Sequence, residues 1–264
     1  MRILYPSDPL TPVQAEDFYE EERAVARGAG LATTLFSLED FKAGRFRVKP
    51  TLESGDVVLY RGWMLRLEEY ARLSDAVTET GARMQTSAAQ YSLTHHLPAW
   101  YERLKEFTPE TRFFADARDA VQGVQEAPWT AYFVKDWVKS LSTGRGSIAK
   151  SPEDIAEIAA QLAHYRGGLE GGLLLREVEQ LIPESEERYF VADGHVFARA
   201  GSAPPMAEIA AARILSQFFT VDVARREDGV LRIVELGDGQ VSDLKGWTLE
   251  AFLPVLETLE RTRD

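Results

Sequence analysis

The sequence contains no cysteine. Disulfides, thiolate metal sites and a cysteine nucleophile are therefore excluded, and the composition fits a reducing compartment such as the cytoplasm. The chain also lacks the run of about eighteen apolar residues that a membrane-spanning helix needs. Its first ten residues, MRILYPSDPL, do not have the layout of a signal peptide. These absences favour a cytoplasmic protein that neither crosses nor binds a membrane.

Positive charge is scarce as well. Thirty Lys and Arg face 42 Asp and Glu, so the formal net charge is −12 at pH 7. Binding of duplex nucleic acid depends on neutralising phosphates, and an acidic chain without a basic stripe is a poor candidate for it. An acidic protein can still bind ATP, because a local pocket and its cation set the field there. The length of 264 residues allows one large or two modest domains.

The first 90 residues alternate between strand and helix patterns. Near-continuous apolar runs such as DVVLY are typical of buried parallel strands. The pattern predicts a small Rossmann-like α/β layer. Its predicted strands are Arg2–Pro6, Leu31–Phe36, Asp56–Tyr60 and Arg83–Thr86, and its predicted helices are Val13–Gly28 and Leu65–Thr80.

The second half of the chain is predicted to be α+β with mainly antiparallel strands, unlike the first. Asp193-Gly194 and Asp228-Gly229 are hairpin turn signals, and Ser151 is placed as the N-cap of a long helix. The predicted helices are Ala88–Phe107, Pro152–Tyr165, Pro205–Phe218 and Thr248–Arg263. The predicted strands are Thr130–Trp137, Leu173–Val178, Arg188–Ala192, His195–Arg199, Phe219–Ala224 and Leu231–Leu236.

Lys135 interrupts an apolar predicted strand. An ammonium group is costly to bury unless an anion meets it, although a lysine near a strand end can also extend to solvent. The Gly/Ser/Thr-rich stretch 139–147 follows and offers backbone N–H groups and hydroxyls that suit phosphate oxygens. Lys139, Ser142 and Gly144 are its candidate contacts, and Ser140–Ser147 is a candidate lid.

Two carboxylates interrupt the apolar strands of the predicted hairpin near the C-terminus. Asp222 and Glu235 stand on facing strands, where uncompensated carboxylates would be expensive. Magnesium is typically held by one or two carboxylates together with substrate phosphates. The pair therefore predicts a magnesium site, and a hairpin with solvated acids is the alternative.

Arg61 follows a strand of the predicted first domain. Ligands of parallel sheets bind outside the carboxyl ends of the strands, so its guanidinium is a candidate for binding a substrate carboxylate. Ser7, after the first strand, shares this location.

The runs FVKDW, LLREVE, ERYFVADGHVFAR, FTVDVA and LRIVELGDGQVS resemble the ATP-grasp fold, and within it the R2K clade. The resemblance implies an ATP-grasp domain of two α+β subdomains over residues 91–264, behind an N-terminal Rossmann-like pre-ATP-grasp domain over residues 1–90. It implies that Lys135 contacts the α- and β-phosphates, that Glu177 lies at the adenine hinge with Arg176 and Val178 beside it, and that Asp222 and Glu235 hold Mg²⁺. It also implies that Arg188 and Arg199, with Lys139, stabilise the transferring phosphoryl group.

Two positions depart from the pattern of this family. The usual Glu-x-Asn metal motif reads Glu235-Leu236-Gly237, so Asp238 is the candidate replacement for the missing asparagine. The usual early lysine is not evident, and the pair His95-His96, which is more often structural in a helix, lies near its place. The resemblance implies an ATP- and Mg²⁺-dependent ligase that joins a carboxylate to an amine through an acyl phosphate, on a peptide, protein or small metabolite. A partner-stabilising protein without turnover, as among the clade's translation-factor assembly proteins, and a phosphotransferase are the alternatives.

Overall fold

The computed structural model describes residues 1–124, 129–138, 146–166 and 168–261. Within these ranges no helix is both long and apolar enough to cross a membrane. The strands are β1 (Arg2–Pro6), β2 (Ala32–Phe36), β3 (Val48–Lys49), β4 (Val57–Tyr60), β5 (Arg83–Met84), β6 (Thr111–Phe114), β7 (Tyr132–Asp136), β8 (Ile148–Ala149), β9 (Leu173–Glu177), β10 (Leu181–Ala192), β11 (His195–Phe197), β12 (Phe218–Arg226) and β13 (Leu231–Asp238).

The helices lie between these strands in a pattern of mixed α/β content. They are α1 (Asp17–Gly28), α2 (Leu38–Lys42), α3 (Leu67–Glu79), α4 (Ala88–His95), α5 (Leu97–Leu104), α6 (Ala117–Gly123), α7 (Pro152–Arg166), α8 (Pro205–Arg213) and α9 (Leu249–Arg261).

The chain divides into two compact units. Unit 1 comprises Met1–Thr94, Arg188–Val221 and Leu236–Asp264, and unit 2 comprises His95–Glu187 and Asp222–Glu235. The predicted domains, residues 1–90 and 91–264, remain a prediction. The compact units reflect contacts within the structure, whereas the predicted domains follow the family resemblance. The Rossmann-like character of the first domain likewise remains a prediction.

Unit 1 contains a five-stranded sheet with the order β3-β2-β1-β4-β5. Strand β1 pairs in parallel with β2 and β4, and β4 pairs in parallel with β5, whereas β3 is antiparallel to β2. Alternate residues of β1 enter different apolar clusters, because side chains of a strand point to opposite faces. Ile3 and Tyr5 pack with Phe252 of α9, and Leu4 packs with Tyr70 of α3. Both faces of the sheet are therefore buried.

Unit 2 contains an antiparallel sheet with the order β6-β9-β7-β8. Tyr132 and Val134 of β7 pack with Leu175 of β9 and with Ile155 and Ile158 of α7. The intervening residues of β7 and β9 therefore point to the opposite face of this sheet. That face carries Phe133, Lys135, Leu174 and Arg176.

A third sheet has the order β11-β10-β12-β13. The turn between β10 and β11 is Asp193-Gly194, with φ values of 50° and 79°. Positive φ at both central residues is the signature of a type I′ turn, so this predicted hairpin is confirmed. The predicted turn at Asp228-Gly229 is also present, since Arg226 N–H donates to Val230 O.

One predicted helix is wrong. Ala88–Phe107 is two helices, α4 and α5, separated at His96, whose backbone is extended at φ −99° and ψ 120°. Pro98 explains the break, because a proline inside a helix lacks the N–H donor and collides with the preceding turn. Leu97 N–H donates instead to Trp137 O.

Other boundaries differ by smaller amounts. Helix α1 begins at Asp17 rather than Val13, because the residues before it form a loop closed by a bridge between Ser7 and Ala15. Strand β11 ends at Phe197 rather than Arg199. The short elements β3, β6, β8, α2 and α6 were not predicted, since runs of two to seven residues carry little periodic signal.

Candidate functional site

Lys135 is buried on the face of the unit 2 sheet opposite the one against which α7 packs. Its side chain is 3% exposed, and its Nζ lies 2.8 Å from Glu235 Oε1. The ammonium therefore does not extend into solvent, which was the alternative to an anion-binding role. A buried lysine needs an anion, and Glu235 supplies one in this structure.

Arg176 lies on the same face, on the neighbouring strand β9, and is diagonally opposite Lys135 of β7. Its guanidinium donates to three neutral acceptors: Nη1 to Val234 O at 2.6 Å, Nη2 to Thr108 Oγ1 at 3.1 Å and Nε to Thr111 Oγ1 at 3.2 Å. Burial lowers the pKa of Arg176 to about 10, and the nearby Glu235 carboxylate opposes that shift. Glu235 therefore acts on both buried cations, and Glu179 also favours the charged form of Arg176.

This cluster fits the phosphates of a nucleotide. Lys135 and Arg176 carry two positive charges, and Glu235 provides one negative charge among them. Two buried cations on one sheet face can bind an anion, because charge interactions are stronger where water is excluded. Phosphate oxygens are the anions that lysine and arginine bind most often.

The adenine-hinge prediction falls on the end of β9. Glu177 is its last residue, half-buried, and its N–H donates to Glu110 O at 2.8 Å, so that donor is used within the sheet. Val178 lies in the irregular segment that follows. Glu179 anchors this segment through an ion pair with Arg232 at 2.8 Å. The proposed nucleotide contacts of Glu177 and Val178 remain predictions.

The predicted metal ligands differ in their surroundings. Asp222 on β12 is 2% exposed, and Glu235 on β13 holds Lys135. In the part of the chain that the structure describes, no group of three or more His, Asp or Glu side chains could hold a metal ion by itself. Sites that combine one or two carboxylates with substrate phosphates do not need such a group, and two carboxylate oxygens suit Mg²⁺.

Asp238 is held in a buried hydrogen-bond network in unit 1. Its Oδ1 accepts from Gln240 N and Gln240 Nε2, both at 3.0 Å, and its Oδ2 accepts from Thr94 Oγ1 at 3.0 Å. Burial raises the pKa of Asp238 to about 7, although these hydrogen bonds oppose the shift. This placement gives no support to Asp238 as a substitute metal ligand and favours a structural role.

Gly237 occupies the position where the family pattern has asparagine. A Cβ added there would lie 2.8 Å from both Thr220 Oγ1 and Ser242 Oγ. These hydroxyls are 3.1 Å apart and fill the space that a longer side chain would need. An asparagine could therefore not replace Gly237 without displacing them.

The two predicted arginines of phosphoryl transfer lie in unit 1. Arg188 stands within β10 rather than at its start, and its Nη1 contacts Asp243 Oδ1 at 2.8 Å and Asp243 O at 2.9 Å. Arg199 is exposed and follows β11 instead of ending it. Their catalytic roles remain predictions.

Arg61 is 1% exposed and bound on every side within unit 1. Its Nε and Nη2 donate to the two carboxylate oxygens of Glu22 at 2.9 and 2.6 Å, and Nη1 donates to Gly239 O at 2.6 Å. Burial by itself lowers the pKa of Arg61, but the Glu22 carboxylate reverses this, and the pKa lies above its ordinary value. The arrangement supports a structural role rather than the predicted contact with a substrate. Ser7 is buried and lines a surface depression.

For the remaining predicted site residues, the structure adds no support for a role in nucleotide binding or catalysis. Lys139, Ser142 and Gly144, with most of the candidate lid, lie outside the described residues. His95 ends α4 and is buried, and His96 lies with Nε2 3.7 Å from Glu170 Oε1. This placement is compatible with the structural role that a histidine pair usually has.

The sequence did not predict the residues that hold Arg61 and Arg176 in place. Glu22 lies on the buried face of α1 with Tyr19, Arg23 and Ala26, and this helical spacing could have marked it as a buried acid. Thr108 and Thr111, which accept from Arg176, carry no comparable signal. Their role depends on sheet pairing between segments more than 60 residues apart.

Comparison with known proteins defines the class of this fold. The chain is similar to the RimK domain ATP-grasp protein of Sphaerobacter thermophilus, with a TM-score of 0.61, 16% identity, and coverage of 98% of this chain and 100% of that chain. It is similar to the macrocyclase MdnC of Microcystis aeruginosa, solved with the precursor peptide MdnA, with a TM-score of 0.60, 12% identity, and coverage of 98% and 100%. It is also similar to the ATP-grasp ligase PsnB, solved with a minimal precursor, Mg and ADP, with a TM-score of 0.58, 13% identity, and coverage of 98% of each chain.

These likenesses show that the chain has the ATP-grasp fold. Residues 117–256 match the family described as the ATP-grasp domain of R2K clade family 3. The protein therefore belongs to that family, and membership supports ATP-dependent ligation in general. A search of curated proteins gave no match.

Proposed function

We propose that this protein is an ATP- and Mg²⁺-dependent ligase that joins a carboxylate to an amine through an acyl phosphate. The observation that carries the proposal is the buried Lys135–Glu235 ion pair beside Arg176. Membership in the ATP-grasp family and the likeness to ligases solved with peptide substrates support it. The acceptor is proposed to be a peptide or protein, and the location to be cytoplasmic.

The chain's own residues supply charge and position in this scheme. Lys135 would bind phosphate oxygens in place of Glu235, and Glu235 would then join Asp222 in holding Mg²⁺. The bound Mg²⁺ would supply electrostatic stabilisation of the phosphates. Arg176 contributes a further positive charge, and its hydrogen bonds go to neutral acceptors. Such transfer depends mainly on positioning and charge stabilisation.

The proposed reaction consists of two successive displacements. One substrate carboxylate oxygen attacks the γ-phosphorus, the bond from that phosphorus to the β–γ bridging oxygen breaks, and ADP leaves. The amine nitrogen then attacks the acyl carbon, the bond from carbon to the phosphate oxygen breaks, and phosphate leaves as the nitrogen loses a proton. Water must be excluded while the acyl phosphate exists.

Binding of nucleotide tests the site first. Lys135→Met should weaken binding of the ATP analogue AMPPNP with Mg²⁺ at least about ten-fold in calorimetry, because it removes a charge-assisted contact with phosphate. Lys150→Met is the matched control, since Lys150 is an exposed lysine of the same unit, and it should change affinity less than two-fold. Equal affinities of wild type and Lys135→Met would refute the site.

Product release then tests the reaction. Steady release of ADP and phosphate that requires both an added acid and an added amine, or an acceptor peptide carrying one of them, would support ligation. ADP release with a stable phosphorylated product would identify a phosphotransferase instead.

A protein that binds ATP to stabilise a partner, without turnover, is the second candidate. Gly237 favours it, because the hydroxyls of Thr220 and Ser242 fill the space of the asparagine that the family's metal motif would place there. Tight binding of Mg²⁺·ATP with no ADP release in the presence of any acid and amine would support this candidate over the ligase.

A further inference from the structure

Two neighbouring depressions on unit 1 share the side chain of Phe18. One has a cavity volume of about 770 Å³ and is lined by the ends of β1 and β2, the first residues of α1 and α2, and Trp63. The other, of about 640 Å³, lies on the side of Phe18 that faces the segment before α9. We call the surface formed by Asp8, Glu16, Asp17, Phe18, Glu39 and Trp63 the aromatic trough.

The trough exposes apolar rings that are held in place. Phe18 is 58% exposed and Trp63 is 41% exposed, and their ring centroids are 5.3 Å apart. Trp63 Nε1 donates to Glu16 Oε2 at 2.5 Å, and the buried ring of Tyr19 packs against both rings. Exposed aromatic groups with a polar rim are typical of interaction surfaces. Because the rings are already fixed, little conformational entropy would be lost when a partner covers them.

The loop between β1 and α1 also exposes apolar side chains. Leu10 is 93% exposed and Val13 is 64% exposed. The loop is closed by the bridge between Ser7 and Ala15, and Asp8 Oδ1 accepts from Leu10 N and Thr11 N. Two exposed aliphatic side chains therefore stand on an ordered loop whose first residues line the depression.

The charge of the trough is strongly negative. The depression around Trp63 is lined by four carboxylates, Asp8, Glu16, Asp17 and Glu39, and by one ammonium, Lys42. Among the described residues Asp17 and Glu39 form no ion pair, while Lys42 lies 3.7 Å from Glu69. Carboxylates beside aromatic faces are the chemistry that binds ammonium and guanidinium groups, through ion pairing and cation–π attraction.

The position of the trough in the fold is one where ligands are expected. Strand β1 has β2 on one side and β4 on the other, so the sheet order changes direction between β1 and β4. Open α/β sheets bind ligands in the crevice outside the carboxyl ends of strands at such a point. Ser7 and Trp63 follow these two strands.

We infer that the aromatic trough binds a peptide segment in which lysine or arginine side chains alternate with apolar ones. A single amine would fill only part of one depression, since a volume of about 770 Å³ is that of a drug-sized pocket. A peptide crossing Phe18 would reach both depressions. The role of this peptide as the acceptor rests on the ligase function proposed above.

Fluorescence anisotropy of a labelled octapeptide of alternating lysine and phenylalanine, without nucleotide and at about 50 mM salt, tests the inference. Asp17→Asn with Glu39→Gln should weaken binding at least about five-fold, because two carboxylates are neutralised, and Phe18→Ala should weaken it at least about three-fold. Glu53→Gln with Glu68→Gln is the matched control. It makes the same change in net charge at exposed positions that line neither depression, and it should change affinity less than two-fold.

Three results would overturn the inference. The control pair could weaken binding as much as the trough pair, which would mean general attraction to an acidic protein. A peptide with glutamate in place of lysine could bind equally well, or lysine amide alone could compete at the same concentration as the peptide. Calorimetry with AMPPNP and Mg²⁺ on the trough variants separates this test from the proposed function, since nucleotide affinity should be unchanged in them.

Discussion

Glu235 is the residue through which nucleotide and metal binding are expected to be coupled. It pairs with Lys135 in this structure, so a phosphate that binds Lys135 competes with this carboxylate for the ammonium group. The released carboxylate can then bind Mg²⁺. The free energy lost when the Lys135–Glu235 ion pair breaks is offset only if Mg²⁺ binds together with the nucleotide. Nucleotide binding should therefore depend strongly on Mg²⁺.

The variant Glu235→Gln separates these effects. We expect its affinity for AMPPNP in EDTA to equal or exceed that of wild type, because no carboxylate competes for Lys135. The increase in affinity on adding Mg²⁺ should fall at least about ten-fold, because a ligand of the cation is lost. Calorimetry with and without Mg²⁺ measures both. Glu153→Gln, an exposed position of the same unit, is the control and should behave as wild type.

Asp238 predicts an unusual dependence of stability on pH. Its folded-state pKa is about 7 against an ordinary value of 3.8. The folded carboxyl therefore binds its proton more tightly than the unfolded one. Its contribution makes the free energy of unfolding fall as pH rises from about 4 to about 7, and then level off.

Asp238→Asn removes this titration and preserves the hydrogen bonds. The amide oxygen can accept from Gln240, and the amide nitrogen can donate to Thr94 Oγ1, whose own proton can then be donated to Gln90 O. When the pH rises from 5 to 8, the free energy of unfolding of the variant should increase relative to that of wild type by on the order of 2 kcal/mol. Urea unfolding at the two pH values measures it, and a constant difference between the two proteins would contradict the assignment.

At the scale of elements, α1 is bound to the parallel sheet by a buried ion pair. Glu22 on α1 contacts Arg61, which follows β4, and also accepts from Tyr5 OH of β1 at 3.0 Å. Burial, and then the Glu22 carboxylate, raise the pKa of Tyr5, so this phenol keeps its proton. One carboxylate thus joins a helix to two neighbouring strands.

Glu22→Ala should lower the free energy of unfolding by about 3–5 kcal/mol, since it leaves a buried guanidinium without its counter-ion. Glu21→Ala, the exposed neighbour on the same helix, should change it by less than about 0.5 kcal/mol. Adding Arg61→Met to Glu22→Ala should recover part of the loss, because the unpaired charge is removed. If the double variant is no more stable than the single one, the ion pair is not the cause.

At the scale of the whole molecule, Mg²⁺·AMPPNP should stabilise the native chain. A ligand present at about 100 times its Kd contributes about 2.7 kcal/mol to the free energy of unfolding when it binds only the native state. The melting temperature of wild type should therefore rise with nucleotide concentration. At the same concentration Lys135→Met should show little or no rise. Differential scanning calorimetry measures both, and it also shows whether units 1 and 2 unfold in one transition or two.

The sequence by itself determined the elements whose periodicity is strong. The near-continuous apolar runs of β1 and β4 predicted buried parallel strands, and Asp193-Gly194 predicted the turn between β10 and β11. Lys135, Asp222 and Glu235 could be singled out because each places a charge in an apolar strand, where burial without a partner is costly. Local pattern was sufficient here because the cause of each feature lies within a few residues.

Only the tertiary structure decided which charge meets which. Lys135 and Glu235 are 100 residues apart in the chain, and Arg61 meets Glu22 across 39 residues. Arg61 was predicted from its place after a strand and Asp238 from the family motif, yet the partners of both lie in the interior of unit 1. Long-range partners are set by sheet order and helix packing, which no local window of sequence contains.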